Sequence, residues 1–264
     1  MIQRETESSL KAVGVIPARY ASTRFPGKPL AVLANKPLVQ WVYERAKKAK
    51  LLSDVIVATD DQRIFDCVKR FGGQVRMTRP DHPSGSDRVA EVARHTDAEI
   101  IVNIQGDEPL IAPAAIDLSV ELLTKRPADV VGTLVRRLTR PEELGDPNVV
   151  KVVLSDDGHA LYFSRSPIPH VRGESDPARW PQKYSFYYKH IGLYVFRREF
   201  LFQFVEWSPG KLERAESLEQ LRILERGVRI AAAITDYEAR GIDTPEDLQR
   251  LINDLEAGKL DKHN

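Results

Sequence analysis

The sequence has a single cysteine, Cys67, in 264 residues, so no disulfide can form within the chain. No cluster of cysteine and histidine has the spacing of a zinc site. No apolar run approaches the ~18 residues that a membrane-spanning helix needs. Neither sign of charge prevails: 39 Lys and Arg face 38 Asp and Glu, a net charge of +1. That balance argues against a general nucleic-acid surface, which needs a basic excess to neutralise phosphates. There is no internal repeat, no low-complexity tract and no linker long enough to separate independent domains. The opening Met1-Ile2-Gln3-Arg4-Glu5-Thr6-Glu7 is too polar for a signal peptide, so the expectation is a cytoplasmic protein. With 42% hydrophobic residues, a chain of this length can bury ~70–75% of its unfolded surface and needs no staple.

What is present alternates. Val13–Ile16 reads as a buried strand, and Leu38, Val42, Ala46 and Ala49 then mark one face of a helix. Val55–Ala58 is a second strand, followed by a helical stretch at 62–71, a short strand at 74–77 and a helix at 89–95. The run Ile100–Ile104 is the strongest signal for a central strand. Continuous apolar runs between helices imply a mostly parallel, twisted α/β sheet of Rossmann-like type, covered on both faces. The second half is less regular. Strands are expected at 130–136, 149–154, 160–164 and 190–196, with a hairpin turn at Asp156-Asp157-Gly158. One helix is expected over 212–226, ending before Gly227, and a surface loop at 171–183. Eleven of the twenty aromatic residues fall between Trp180 and Trp207, which suits either a second core or a dimer interface.

In an open parallel sheet, ligands bind beyond the carboxyl ends of the strands. After the first strand comes a loop with Arg19, Arg24 and Lys28. After the second come Thr59-Asp60-Asp61, and after the strand at 100–104 comes Gln105-Gly106-Asp107-Glu108-Pro109. Cations and carboxylates along one edge suit a polyphosphate with its divalent metal. The first loop is neither a Walker A motif nor a dinucleotide fingerprint: Ser22 stands where the first glycine would, and Pro29 follows Lys28. Arg19, Arg24 and Lys28 can still contact phosphate oxygens. Asp107 is placed to hold Mg²⁺, although Gly-Asp-Glu-Pro also suits an ordinary turn. In Gly241-Ile242-Asp243-Thr244-Pro245-Glu246-Asp247, Thr244 serves as a helix N-cap and Pro245 as its first residue. That leaves Asp243 without a structural duty and free to share the metal with Asp107.

These segments resemble the 3-deoxy-manno-octulosonate cytidylyltransferase (CMP-Kdo synthetase) family. The matching stretches are PARYASTRFPGKPL (17–30), VATDD (57–61), MTRPDHPSGSDRVAEV (77–92), VNIQGDEPLI (102–111) and NVVKVVL (148–154). They continue with ALYFSRSPIP (160–169), KHIGLYVFRREFL (189–201), ESLEQLRILERG (216–227) and GIDTPEDL (241–248). The resemblance implies one nucleotidyltransferase domain over 1–264. In it, 12–126 is a CTP-binding half, 127–228 a smaller mixed α+β part for sugar binding and dimerisation, and 229–257 a return to the main sheet with the metal site. It implies transfer of CMP from CTP to the anomeric hydroxyl of Kdo, releasing pyrophosphate, for lipopolysaccharide assembly. Arg19 and Lys28 would neutralise the triphosphate, and Asp107 and Asp243 would hold Mg²⁺. Ser22, Arg79, Ser84, Gly85 and Gln105 match nucleotide-binding positions. Arg165, His190, Tyr194, Glu219 and Gln220 match the sugar-acid pocket. The resemblance also implies a homodimer.

Departures exist: residues 1–11 precede the first motif, the loop at 171–185 matches poorly, and Ser86-Asp87 replaces a common Thr-Glu pair. Two alternatives stay open. A CMP-sialate or other CMP-ulosonate synthetase would share the chemistry with a different pocket. A nucleotide-binding regulator without turnover would not need Arg19, Lys28, Asp107 and Asp243 together.

Overall fold

The structure, a computed structural model, describes residues 10–174 and 179–258. The polar start and part of the 171–185 loop therefore lie outside the described residues. In chain order the elements are β1 (Ala12–Ala18), β2 (Val32–Leu33), β3 (Lys36–Pro37), α1 (Leu38–Ala46), β4 (Asp54–Thr59), α2 (Gln62–Arg70) and β5 (Val75–Met77). Then come α3 (Gly85–Ala93), β6 (Ile100–Asn103), α4 (Pro113–Lys125), β7 (Val131–Arg137), α5 (Pro141–Gly145), β8 (Lys151–Leu154) and β9 (Ala160–Ser164). The chain ends with α6 (Trp180–Lys183), β10 (Tyr188–Arg197), α7 (Arg198–Val205), α8 (Lys211–Glu216), α9 (Leu221–Glu225), β11 (Ala231–Ile234) and α10 (Pro245–Glu256).

The main sheet runs β11-β7-β10-β6-β1-β4-β5. β5, β4, β1 and β6 are parallel neighbours, as are β7 and β11, while β10 runs antiparallel between β6 and β7. The expected mostly parallel α/β sheet is what forms. Alternation along the strands divides the core. Ile100, Val102 and Ile104 pack with α1, α2 and α4 on one face, whereas Ile101 packs with α3, α7 and α9 on the other. The β8–β9 hairpin extends from the first residues of β10 and turns at Ser155–Gly158, where Gly158 has φ 78°. A third cluster packs Leu251 and Leu255 of α10 against Leu38 and Trp41 of α1, which returns the C-terminal segment to the first loop.

Two expectations need correction. The single helix over 212–226 is two short ones, because Ser217 adopts φ 52°. The cause is tertiary: Ser164 Oγ and the Arg165 amide donate to the Glu216 carboxylate, and Arg165 Nε donates to the Glu216 carbonyl at 2.7 Å. Carbonyls captured in this way are lost to further helix. Likewise, the 171–183 loop ends in α6, whose Trp180 is buried and stacks on Tyr187. The aromatic-rich stretch mostly fills cores, with Phe196, Phe200, Phe204 and Trp207 in mutual contact, while Phe186 stays exposed and stacks on Tyr184.

Candidate active site

The loop after β1 is shaped by its own turn. Gly27 has φ 72°, and a Cβ there would lie 3.0 Å from the Tyr20 ring. Its N–H donates to the Tyr20 carbonyl, and the Arg63 guanidinium lies over that ring at 3.3 Å from the centroid. The next residue, Lys28, is thereby aimed back at the sheet edge. The loop after β6 approaches so closely that a Cβ on Gly106 would lie 2.7 Å from the Pro17 carbonyl oxygen, so only glycine fits.

Asp243 arrives from the far end of the chain. The Ile242 N–H donates to the Asp107 carbonyl at 2.9 Å, and Tyr237 donates to the Glu108 carboxylate at 2.9 Å. Thr244 caps α10 and Asp247 completes the capping box, so the Asp243 carboxylate has no part in starting the helix. Lys28 Nζ lies 2.9 Å from Asp107 Oδ2, 2.8 Å from the Ile242 carbonyl and 3.6 Å from Asp243 Oδ1. Arg24 reaches the other Asp243 oxygen at 3.2 Å. Two carboxylates thus converge on one cation. Among the described residues no third acid, histidine or cysteine joins them as a metal-binding group.

One cleft is lined by Arg19, Ser22, Lys28, Ser84, Gly85, Gln105, Asp107 and Asp243. The N-terminus of α3 opens into it, with Ser84 accepting from the amides of Ser86 and Asp87. A helix start beside lysine and arginine is a ready anion site. Arg79 is exposed and is not part of this lining. Arg24, which the loop's charge had suggested, does line the cleft. The acids after β4 have other tasks: Asp61 caps α2, and Asp60 pairs with the buried Arg88 at 3.0 Å. Arg88 and His82, both cleft-lining, were not anticipated from the sequence. His82 hydrogen-bonds Glu91, which also accepts from the Arg79 amide, so one carboxylate holds both ends of the 79–82 turn.

A second polar group lies beside the cleft, under α3. A register shift in β10 between Ile191 and Tyr194 lets Gly192 approach Gln105, and places Tyr194 opposite both Asn103 and Thr133. Thr133 Oγ1 lies within hydrogen-bond distance of the Ile191 and Leu193 carbonyls and 2.9 Å from His190 Nε2. The Thr133 hydroxyl thus holds the imidazole by its Nε2 edge. Ser86 donates to Glu219 Oε2 at 2.6 Å, and burial raises the Glu219 carboxyl above its ordinary range. Tyr194 OH, Glu219 Oε1 and Gln220 Nε2 are buried without a hydrogen-bond partner. Each such atom costs ~1–3 kcal/mol, a cost the fold has no structural reason to keep. Arg165 stands slightly apart, donating to the carbonyls of Pro147 and Glu216, with Ser217 beyond at 3.4 Å.

Burial pushes His190 down to about 3. An unfolded histidine takes up its proton near pH 6.5, so below that pH the unfolded chain binds more protons and the fold loses stability. His190 contributes up to about 1.4 kcal/mol per pH unit to that loss. Urea unfolding at pH 7 and pH 5 should show a smaller loss in His190→Gln than in the wild type, and parallel losses would contradict this.

Comparison with known proteins agrees with this geometry. The cytidylyltransferase family profile matches residues 13–230. The 3-deoxy-manno-octulosonate cytidylyltransferase of Solibacter usitatus is 57% identical over 250 residues, covering 95% of this chain and 96% of that one. Its counterpart in Geotalea uraniireducens is 52% identical over 249 residues, covering 93% and 99%. A solved CMP:2-keto-3-deoxy-manno-octonic acid synthetase complexed with CTP superposes with a TM-score of 0.87 and 42% identity, over 95% of this chain and 100% of that one. The chain is a nucleotidyltransferase that belongs to the cytidylyltransferase family and groups with the 3-deoxy-manno-octulosonate cytidylyltransferases.

Proposed function

We propose that this chain joins CMP to Kdo: the anomeric hydroxyl oxygen bonds to the α-phosphorus of CTP, the bond to pyrophosphate breaks, and the hydroxyl proton leaves to solvent. The observation that carries this reading is the convergence of Lys28, Asp107 and Asp243 in a cleft at a helix start, with buried, unpartnered polar side chains under that helix. Arg19 and Lys28 bind the triphosphate, and Ser22, Ser84, Gly85 and Gln105 hold the rest of the nucleotide. The donor set suits Mg²⁺, which takes one or two carboxylates and completes its shell with water and substrate phosphates. Asp107 and Asp243 would hold it, and when bound it neutralises phosphate charge and eases loss of the hydroxyl proton.

His190, neutral at working pH, offers its free ring nitrogen to a sugar hydroxyl, while Tyr194, Glu219 and Gln220 supply the other donors and acceptors. Catalysis in this reading is alignment plus electrostatics, with no covalent intermediate. The division of labour follows the chain: 12–126 for CTP, 127–228 for the sugar acid and dimerisation, 229–257 for the return of Asp243. A homodimer belongs to the same proposal, supported by the exposed Phe186 stacked on Tyr184, and sedimentation velocity tests it. So does a cytoplasmic location, where CTP is available.

Arg165 tests the sugar side. Whether it meets the sugar carboxylate or fixes the 216–220 segment through its carbonyl bonds, Arg165→Ala should raise the KM for Kdo about tenfold or more. The KM for CTP should stay within about twofold. An unchanged KM for Kdo in a folded variant would remove Arg165 from the pocket.

A further inference from the structure

We infer that Asn103, at the end of β6, is a further specificity-determining residue that reads a hydroxyl of the sugar acid. The inference rests on the proposed sugar pocket. Asn103 is 3% exposed. Side chains alternate along β6, and Ile101 belongs to the core under α3, so Asn103 shares that face. It lies directly opposite Tyr194, which is on the same face of β10 and feels the charge of Glu219. Opposed residues in an antiparallel pair bring their Cβ atoms to ~4.5–5.5 Å, so the two side chains adjoin.

Asn103 Oδ1 is buried without a hydrogen-bond partner. Five side-chain atoms among the described residues share that condition: Asn103 Oδ1, Trp180 Nε1, Tyr194 OH, Glu219 Oε1 and Gln220 Nε2. Trp180 packs in a separate cluster with Tyr187, whereas Asn103 lies opposite Tyr194, Tyr194 feels the charge of Glu219, and Gln220 follows Glu219 in the chain. A structural asparagine satisfies its acceptor within the fold. One held bare next to the equally bare Tyr194 hydroxyl is complementary to a polyhydroxylated ligand. Oδ1 accepts one ligand hydroxyl, as Glu219 Oε1 accepts another. The sequence concealed this residue because Ile-Ile-Val-Asn-Ile reads as uninterrupted strand.

The test is steady-state kinetics and thermal unfolding of Asn103→Leu, a near-isosteric change that deletes the acceptor. The KM for Kdo should rise about tenfold or more, the KM for CTP should stay within about twofold, and the melting temperature should hold or rise. A structural asparagine would instead lower the melting temperature and move both KM values together, which would overturn the inference. If Asn103→Leu does not fold, Asn103→Ser carries the same test through the same split in KM. An unmoved KM for Kdo in a folded variant overturns the role of Asn103 alone. Failure of the wild-type protein to use Kdo would instead overturn the proposed function.

Discussion

Asp107→Asn should lower kcat by about 10²–10³-fold while leaving the fold intact. The two parts of this expectation have separate origins. The Asp107 carboxylate is 29% exposed, and its ion pair with Lys28 sits at the solvent edge, where such pairs stabilise by ~1 kcal/mol or less. The contact that anchors the 242–243 segment is made by the Asp107 backbone carbonyl, which asparagine retains. Lys28 also keeps its bond to the Ile242 carbonyl. What asparagine cannot supply is the second negative charge facing Asp243. A neutral amide oxygen is a poorer ligand for a hard divalent cation, so Mg²⁺ affinity should fall with turnover, and excess Mg²⁺ should not restore the rate. Wild-type turnover in a folded Asp107→Asn protein would reject the metal role.

Lys28→Met should reduce kcat/KM for CTP by about 10²-fold or more, with the opposite signature in metal binding. In this structure the ammonium lies between the two carboxylates that Mg²⁺ would use. Removing it would take away the proposed triphosphate contact and also a competitor for those oxygens. Mg²⁺ binding in the absence of CTP should therefore be as tight as in the wild type, or tighter, in contrast to Asp107→Asn. Lys28→Arg should not rescue activity, because a planar guanidinium does not fit where a compact ammonium meets three oxygens. Isothermal titration with Mg²⁺ alone separates the two variants. Weakened Mg²⁺ binding in Lys28→Met would contradict the placement of the ion.

The parallel half of the sheet was legible because each of its strands is an apolar run followed by a punctuated loop, and local pattern decides both. The pairing of Asp107 with Asp243 was legible for a related reason: Thr244 and Pro245 account for the helix start and leave Asp243 over. α4 has a local signal of its own in the sequence, proline at its first turn and apolar residues at helical spacing. The break at Ser217 carried none, since residues 212–226 have helical periodicity and the Arg165 guanidinium that interrupts them comes from the residue after β9. The same holds for His82, whose place in the cleft depends on Glu91. Arg79 illustrates the converse: its position in the motif was recognisable, but its side chain turns to solvent and Asp81. Local pattern thus located the residues that line the cleft, while the buried polar group around Glu219 depends on contacts between distant segments.

The most direct measurement is pyrophosphate release from CTP and Mg²⁺ by the purified protein, with Kdo and N-acetylneuraminate offered in parallel. Release with Kdo, and far less with N-acetylneuraminate, is the result this account predicts. Release with N-acetylneuraminate alone would keep the phosphoryl chemistry and overturn the sugar pocket, and CTP binding without release from either acid would contradict the account at its centre.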